Sequence, residues 1–164
     1  MKEIKLEKVT LNIGTGEPGA KLDNAVLLLK NLSNRKPTQT LAKKRIPTWK
    51  IRPGLPIGCK VTLRKAEAEV MLKRLFEARN KILDNSNFTE GGFSFGIKEH
   101  IEIPKAEYDA KIGMIGLDVA VTLRRDGYRI KYRKIKKKRI PKKHLISKEE
   151  AIDFAKNKFG VEIR

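Results

Sequence analysis

Residues 41–58 cannot run as a regular helix, because Pro47, Pro53, Gly54, Pro56 and Gly58 interrupt them. The same stretch carries Lys43, Lys44, Arg45, Lys50 and Arg52. It lies inside 43 consecutive residues, 24–66, that hold eleven Lys or Arg and no carboxylate. A basic loop broken by Pro and Gly, held between structured segments, suits the grasp of phosphates and points to RNA.

The charge is segregated. The chain has 38 Lys and Arg against 19 Asp and Glu, a formal net charge of +19. Residues 124–143 form a second zone, with twelve basic residues against Asp126 alone, and the remainder of the chain is slightly acidic. Chance clusters on a highly charged soluble protein would not separate in this way. Two positive zones on a mildly acidic body are the footprint of a polyanion binder. A length of 164 residues predicts one RNA-binding domain over 1–164, with a basic loop at 43–58 and a basic arm at 124–143. No apolar run approaches the roughly 20 residues of a membrane span, and the first residues alternate charge with hydrophobe, unlike a signal peptide. Cys59 is the single cysteine, so no internal disulfide is expected, and His100 and His144 are too few to complete a zinc site. No metal, no cofactor and no membrane partner are expected, and a cytoplasmic setting fits.

Periodicity gives the elements. Residues 5–13 alternate as a half-buried strand, with Val9, Leu11 and Ile13 on one side and Thr10 and Asn12 on the other. Leu22, Val26, Leu29 and Leu32 predict a helix over 21–32. Short strands are expected at 38–42 and at 60–64, the second with Val61 and Leu63 inward and Lys60, Thr62 and Arg64 outward. A helix over 66–83 would bury Val70, Met71, Leu75, Ala78 and Ile82. Phe93, Phe95, Ile97, Ile101 and Ile103 keep odd parity and predict an extended segment, followed by a connector over 104–116. Leu117, Val119, Val121 and Leu123 mark the clearest strand. Residues 124–143 show no apolar periodicity and read as an extended arm ordered by RNA. Ser147 and Glu150 form a capping box for a helix carrying Ala151, Phe154, Ala155 and Phe159, with Gly160 as its stop.

This order predicts an α+β fold with helices packed on one face of a sheet. The opposite face would then present Thr10, Asn12, Lys60, Thr62 and Arg64, with no carboxylate among them. Those groups can bond phosphate, 2′-hydroxyls or base edges. Asn12 can equally serve only to prepare the turn that follows it.

Other motifs carry less. Gly14-Thr-Gly16-Glu-Pro-Gly19 matches the dinucleotide-binding pattern between a strand and a helix. Glu17 would repel a pyrophosphate, and the acid-free stretch 24–66 removes the carboxylate that would hold a ribose. A tight strand-to-helix turn is the better reading. His100 could pair with Glu99 or Glu102. Cys59, flanked by Lys60, could have a lowered pKa, although a core or interface thiol fits better. Asp118 and Asp126 are too isolated for a metal-dependent nuclease, so no catalytic residue is assigned. Trp49, in the basic loop, could stack on a base, but an anchor fastening the loop to its own domain is slightly favoured.

Several ordered segments resemble the L-five family of ribosomal proteins, whose members bind the 5S rRNA of the large subunit. They are Asn12-Ile-Gly-Thr-Gly-Glu17, Leu22-Asp-Asn-Ala25, Lys36-Pro37, Ala42-Lys-Lys-Arg-Ile46 and Lys50-Ile-Arg-Pro-Gly-Leu-Pro-Ile-Gly-Cys-Lys-Val-Thr-Leu-Arg64. Phe95-Gly-Ile-Lys-Glu-His-Ile101 and Gly116-Leu-Asp-Val-Ala-Val-Thr122 extend the likeness. The basic stretch from Arg124 to Arg139 is similar to the archaeal and eukaryotic branch.

The resemblance implies an antiparallel sheet with helices on one face, an RNA-binding face opposite, and a long basic loop between two strands. It implies rRNA contacts at Asn12, Arg35, Lys36, Lys43, Lys44 and Arg45, and at Lys60, Thr62 and Arg64. Lys50 and Arg52 would meet the peptidyl-site tRNA, on a loop over 46–57 expected to be mobile until bound. Large-subunit rRNA, a neighbouring 5S-binding ribosomal protein and a small-subunit head protein at an intersubunit bridge are the other implied partners. A non-specific nucleic-acid-binding protein and an RNA-acting enzyme remain the alternatives.

Overall fold

A computed structural model describes residues 1–106 and 108–164. Glu107, within the connector predicted over 104–116, lies outside the described residues. The elements run β1 (Ile4–Gly14), α1 (Ala20–Ser33), β2 (Thr38–Leu41), β3 (Pro56–Leu63), α2 (Lys65–Ala78), β4 (Ile82–Leu83), β5 (Phe88–Thr89), β6 (Gly92–Ile97), β7 (Leu117–Arg125), α3 (Arg129–Tyr132), α4 (Lys148–Phe159) and β8 (Glu162–Ile163). Six strands form an antiparallel sheet in the order β2-β3-β1-β7-β6-β5, and β4 pairs with β8 in a separate parallel ladder. The α+β architecture is the expected one.

The residues group into two compact units. One comprises Thr10–Leu63 and Gly96–Val119. Its strands bury every second residue: Leu11 and Ile13 on β1, Cys59, Val61 and Leu63 on β3, Leu117 and Val119 on β7. Helix α1 packs on β3 and buries Leu22, Ala25, Leu28, Leu29 and Leu32. An antiparallel β2–β3 pairing sets Thr38 opposite Lys60 and Thr40 opposite Gly58. Gly58 is required by a close approach, since a Cβ there would lie 2.6 Å from the Ile13 carbonyl oxygen.

The other unit comprises Met1–Val9, Arg64–Phe95 and Ala120–Arg164. Phe76 of α2 stacks on Phe93 and Phe95 of β6, with centroid separations of 6.0 and 5.6 Å, and Phe159 of α4 packs against it at 5.3 Å. The buried face of α2 is Ala68, Met71, Leu72, Leu75 and Phe76, a regular 3.6-residue stripe. Val70, expected in that stripe, is 62% exposed; one position of helical phase separates it from Met71. Asn80 and Lys81 adopt left-handed backbone, so the helix stops at Ala78 rather than at 83 and Ile82 enters β4. Helix α4 carries the predicted capping box of Ser147 and Glu150, and Gly160 closes it.

Two further expectations change. The extended segment predicted to 103 ends at Ile97, because residues 100–102 form a 3-10 turn that buries His100 and leaves Ile101 exposed. The arm over 124–143 is not simply extended. Arg124 and Arg125 belong to β7, α3 follows, and residues 142–144 form another 3-10 turn.

Candidate nucleic-acid interface

The glycine turn after β1 is already occupied by the chain itself. The Thr15 and Gly16 amides both donate to the Ile57 carbonyl at 3.0 Å, and Glu17 pairs with Lys21 at 3.1 Å. Gly19 sits at φ 124 as the N-cap of α1. No amide of Thr15 or Gly16 is left to cradle a pyrophosphate, so the turn is structural.

Strand alternation sets the polar side of β3. Lys60 and Thr62 are exposed between buried Cys59, Val61 and Leu63. On β1, Thr10 and Asn12 are half-buried between Val9, Leu11 and Ile13. Arg64, the exposed N-cap of α2, is not in a carboxylate-free setting as expected. Its guanidinium lies 3.9 Å from Glu7, whose other carboxylate oxygen is buried without a hydrogen-bond partner among the described residues. Strand β1 brings in that acid from outside the acid-free stretch, so Arg64 is partly neutralised. Burial pushes the Cys59 thiol up to about 11, which removes the reading of a thiol activated by its basic neighbours.

Arg35 and Lys36 leave α1 through Asn34, a left-handed C-cap whose amide donates to Lys30. They border a groove of 760 Å³ that also involves Lys30, Asn31, Pro37 and Gln39. Cations for phosphate and amides for base edges occur there together.

The basic loop is a hairpin extending β2 and β3. The Ala42 amide donates to Leu55, the Gly54 amide to Ala42, and Ile46 and Ile51 exchange backbone bonds of 3.0 and 3.1 Å. Ile51 is buried. Residues 47–49 form a 3-10 turn and Lys50 takes a left-handed conformation to close the tip. The expectation of a poorly packed loop is therefore corrected: backbone pairing organises it despite its prolines, all three of which avoid the paired amides. Lys43, Lys44, Arg45, Lys50 and Arg52 are all exposed. Trp49 is 69% exposed at the tip, so it does not fasten the loop down. Ile51 is the apolar residue that does so.

The second basic zone holds a feature that composition hides. Arg125 is only 7% exposed. Its guanidinium pairs with Glu150 and donates to the carbonyls of His144 and Leu145 at 3.4 Å each. The Tyr128 hydroxyl donates to the His144 carbonyl at 3.1 Å, and His144 Nε2 lies 2.9 Å from the Asp126 carbonyl. Glu150 also accepts the Ser147 amide at 3.0 Å, so a single carboxylate caps α4 and holds Arg125. A sequence signal exists for this residue, since Arg125 continues the odd parity of Leu117 to Leu123.

His100 is fully buried, its Nδ1 facing the Ile115 amide at 3.5 Å, and it pairs with neither Glu99 nor Glu102. Among the described residues, no His, Cys, Asp or Glu cluster could hold a metal, and no helix is long and apolar enough to cross a membrane.

Known families match this chain over nearly its whole length. The family described as "Ribosomal protein L5" matches residues 1–52, and the C-terminal part of the same ribosomal family matches residues 56–154. A large ribosomal subunit protein uL5 from Nanoarchaeum equitans is 51% identical over 99% of this chain and 97% of its own length. Proteins of the same name from Sulfurisphaera tokodaii and Methanococcus maripaludis are 48% and 45% identical, each over 99% of this chain, covering 93% and 92% of their own lengths.

Proposed function

This chain belongs to the ribosomal protein L5 family, as an archaeal-type structural protein of the large subunit of the cytoplasmic ribosome and not an enzyme, and from that premise we propose that it binds 5S rRNA through the polar side of β1 and β3. The observation that carries the reading is the pair Lys60 and Thr62, exposed between three buried neighbours on β3. A rigid strand fixes both side chains toward solvent, and Asn12 adds an amide on β1. Arg35 and Lys36 at the groove beyond α1, and Lys43, Lys44 and Arg45 at the root of the hairpin, supply further phosphate contacts. Arg64 contributes less, because Glu7 already shares its charge.

The hairpin tip serves the peptidyl-site tRNA. Lys50 and Arg52 flank the turn and would meet phosphates, which are alike whatever the anticodon. A preorganised hairpin presents them at low entropic cost. Large-subunit rRNA, a neighbouring 5S-binding ribosomal protein and a small-subunit head protein at an intersubunit bridge complete the partners of this reading.

Two double variants test it. Lys60→Ala with Thr62→Ala should weaken binding of a 5S rRNA transcript about tenfold to a hundredfold, the worth of a lost charge-assisted contact, while the urea midpoint stays in place. Lys50→Ala with Arg52→Ala should leave 5S affinity nearly intact and reduce tRNA retention in assembled ribosomes. Loss of 5S binding with unchanged tRNA retention in the second variant would move the hairpin onto 5S rRNA.

A further inference from the structure

The glycine turn after β1 has no task in that reading, yet it is bonded to the root of the hairpin. Along the β2–β3 pairing, Thr40 stands opposite Gly58 and Leu41 opposite Pro56. Ile57 is skipped. It is the extra residue of a β-bulge, a device that bends its strand and tightens the local twist. Pro56, beside it, has no amide to give the ladder. The hairpin's own bonds begin beyond this break, with the Ala42 amide donating to the Leu55 carbonyl at 2.8 Å.

A bulged residue turns its carbonyl away from the partner strand, and that carbonyl needs another donor. At Ile57 the donors all come from the glycine turn. The Thr15 and Gly16 amides donate at 3.0 Å each, and the Thr15 hydroxyl, 2.9 Å from the Glu17 carbonyl, is also within 3.2 Å. Gly16 takes φ 77 to do so, a conformation that a side chain would oppose. The next residue, Gly58, is wedged against the Ile13 carbonyl. The segment that leads from β1 to α1 therefore grips the hairpin root where the ladder is broken.

The aim of a hairpin is decided at its root. From Ile57 to Lys50 the chain reaches at most about 23 Å, so a tilt of about 10° at the bulge carries the tip by up to about 4 Å. That exceeds the roughly 2.8 Å of a cation–phosphate hydrogen bond.

We infer that the turn over residues 14–16 aims the hairpin. It holds the bulge at Ile57 and so fixes the direction in which Lys50 and Arg52 are presented. Thr15 and Gly16 are then positioning residues for the tRNA contact. The inference rests on the tRNA reading of the tip, but the first of its two measurements does not.

That measurement is a distance between spin labels on Asp23→Cys of α1 and Thr48→Cys at the tip; Cys59 is buried and stays unlabelled. Thr15→Pro removes the amide and the hydroxyl together, and Gly14 ends β1 in the extended backbone that a following proline requires. Gly16→Ala opposes φ 77 and displaces the second amide. Either change should broaden the distance distribution, while amide exchange over 42–55 keeps its wild-type rate. Should Thr15→Pro not fold, Gly16→Ala carries the test. An unchanged distribution overturns the proposal. So does broadening accompanied by faster exchange over 42–55, since the turn would then support the hairpin's fold rather than its direction. Thr15→Val keeps both amides and should behave as wild type; equal broadening there overturns the assignment to the amides.

The second measurement is tRNA retention in assembled ribosomes. If a loosened tip is correctly aimed about a tenth of the time, retention falls about tenfold. Broadening without that fall overturns the positioning role where Lys50→Ala with Arg52→Ala does lower retention. Where that double variant also leaves retention unchanged, the tRNA reading falls and the aiming of the hairpin stands on the distances.

Discussion

The hairpin over 43–58 and the arm over 127–146 are both basic, with five and ten Lys or Arg and no carboxylate in either, but they are held by different means. In the hairpin, order comes from the backbone: Ala42 with Leu55, Gly54 with Ala42, and Ile46 with Ile51 continue the β2–β3 ladder. In the arm, backbone bonds form mostly short local turns, and the long-range ties at the neck come chiefly from the side chains of Arg125, Tyr128 and Glu150 together with His144. A ladder distributes its stability over many peptide groups that do not titrate. A side-chain clamp concentrates it in a few groups, one substitution or one proton away from release.

The sharpest way to break the comparison is Arg125→Met. It keeps most of the buried volume, but strips the carbonyls of His144 and Leu145 of their donor and leaves Glu150 without its cation. Losing a buried, charge-assisted network of this kind costs about 3 kcal/mol. Urea unfolding should register that loss. Amide exchange should accelerate across 126–146 and stay unchanged across 42–55. Equal acceleration in both regions would mean that the arm and the hairpin are not separately held.

Gly58→Ala attacks the hairpin at its root. The new Cβ would lie 2.6 Å from the Ile13 carbonyl and 2.9 Å from Thr40 Oγ1, so backbone has to give way. Overpacking of this sort costs about 2 kcal/mol. Faster exchange over 38–60, with the arm still protected, is the expected result. A neutral substitution would show that the β1–β3 spacing can relax freely.

The same contrast explains what the sequence makes legible. Strand parity is readable because a period of two leaves little freedom: Val9, Leu11, Val61, Leu63 and Leu117 to Leu123 all lie where alternation puts them. It also places Lys60 and Thr62 outward, so the central residues of the proposed interface can be named from the sequence. Helical phase is less forgiving, and the apolar pattern sets Val70 one position away from the true stripe. Trp49 misleads because its size suggests an anchor, whereas the 3-10 turn at the tip turns the indole to solvent and lets Ile51 do the fastening. The arm is opaque for a deeper reason. Its order comes from pairings across some twenty residues, such as Arg125 with His144 and Glu150, and no local period announces them.

Acid provides the smallest and most selective perturbation. The Ser147 amide, and after it the Arg125 guanidinium, hold the Glu150 carboxyl below its ordinary value of 4.5, against an opposing effect of burial. At the mouth of the arm, the Lys5 ammonium, 2.9 Å away, likewise holds Asp126 below 3.8. Both native carboxyls therefore bind fewer protons than their unfolded counterparts in the acid range. The stability that each contributes is present above the ordinary value, and is lost as pH falls through the lowered one. Both groups are largely solvated, so the global effect is small. The local effect should still discriminate, because the hairpin bonds that continue the β2–β3 ladder are between peptide groups. Exchange across 126–146, corrected for intrinsic rates, should accelerate relative to 42–55 as pH drops below about 4. Glu150→Gln should remove most of that dependence by presenting an uncharged partner at every pH. If the arm opens in acid to the same extent in Glu150→Gln as in the wild type, the pH-sensitive part of the neck lies at Asp126 and Lys5, and the corresponding Asp126→Asn variant should then be the one that flattens the profile.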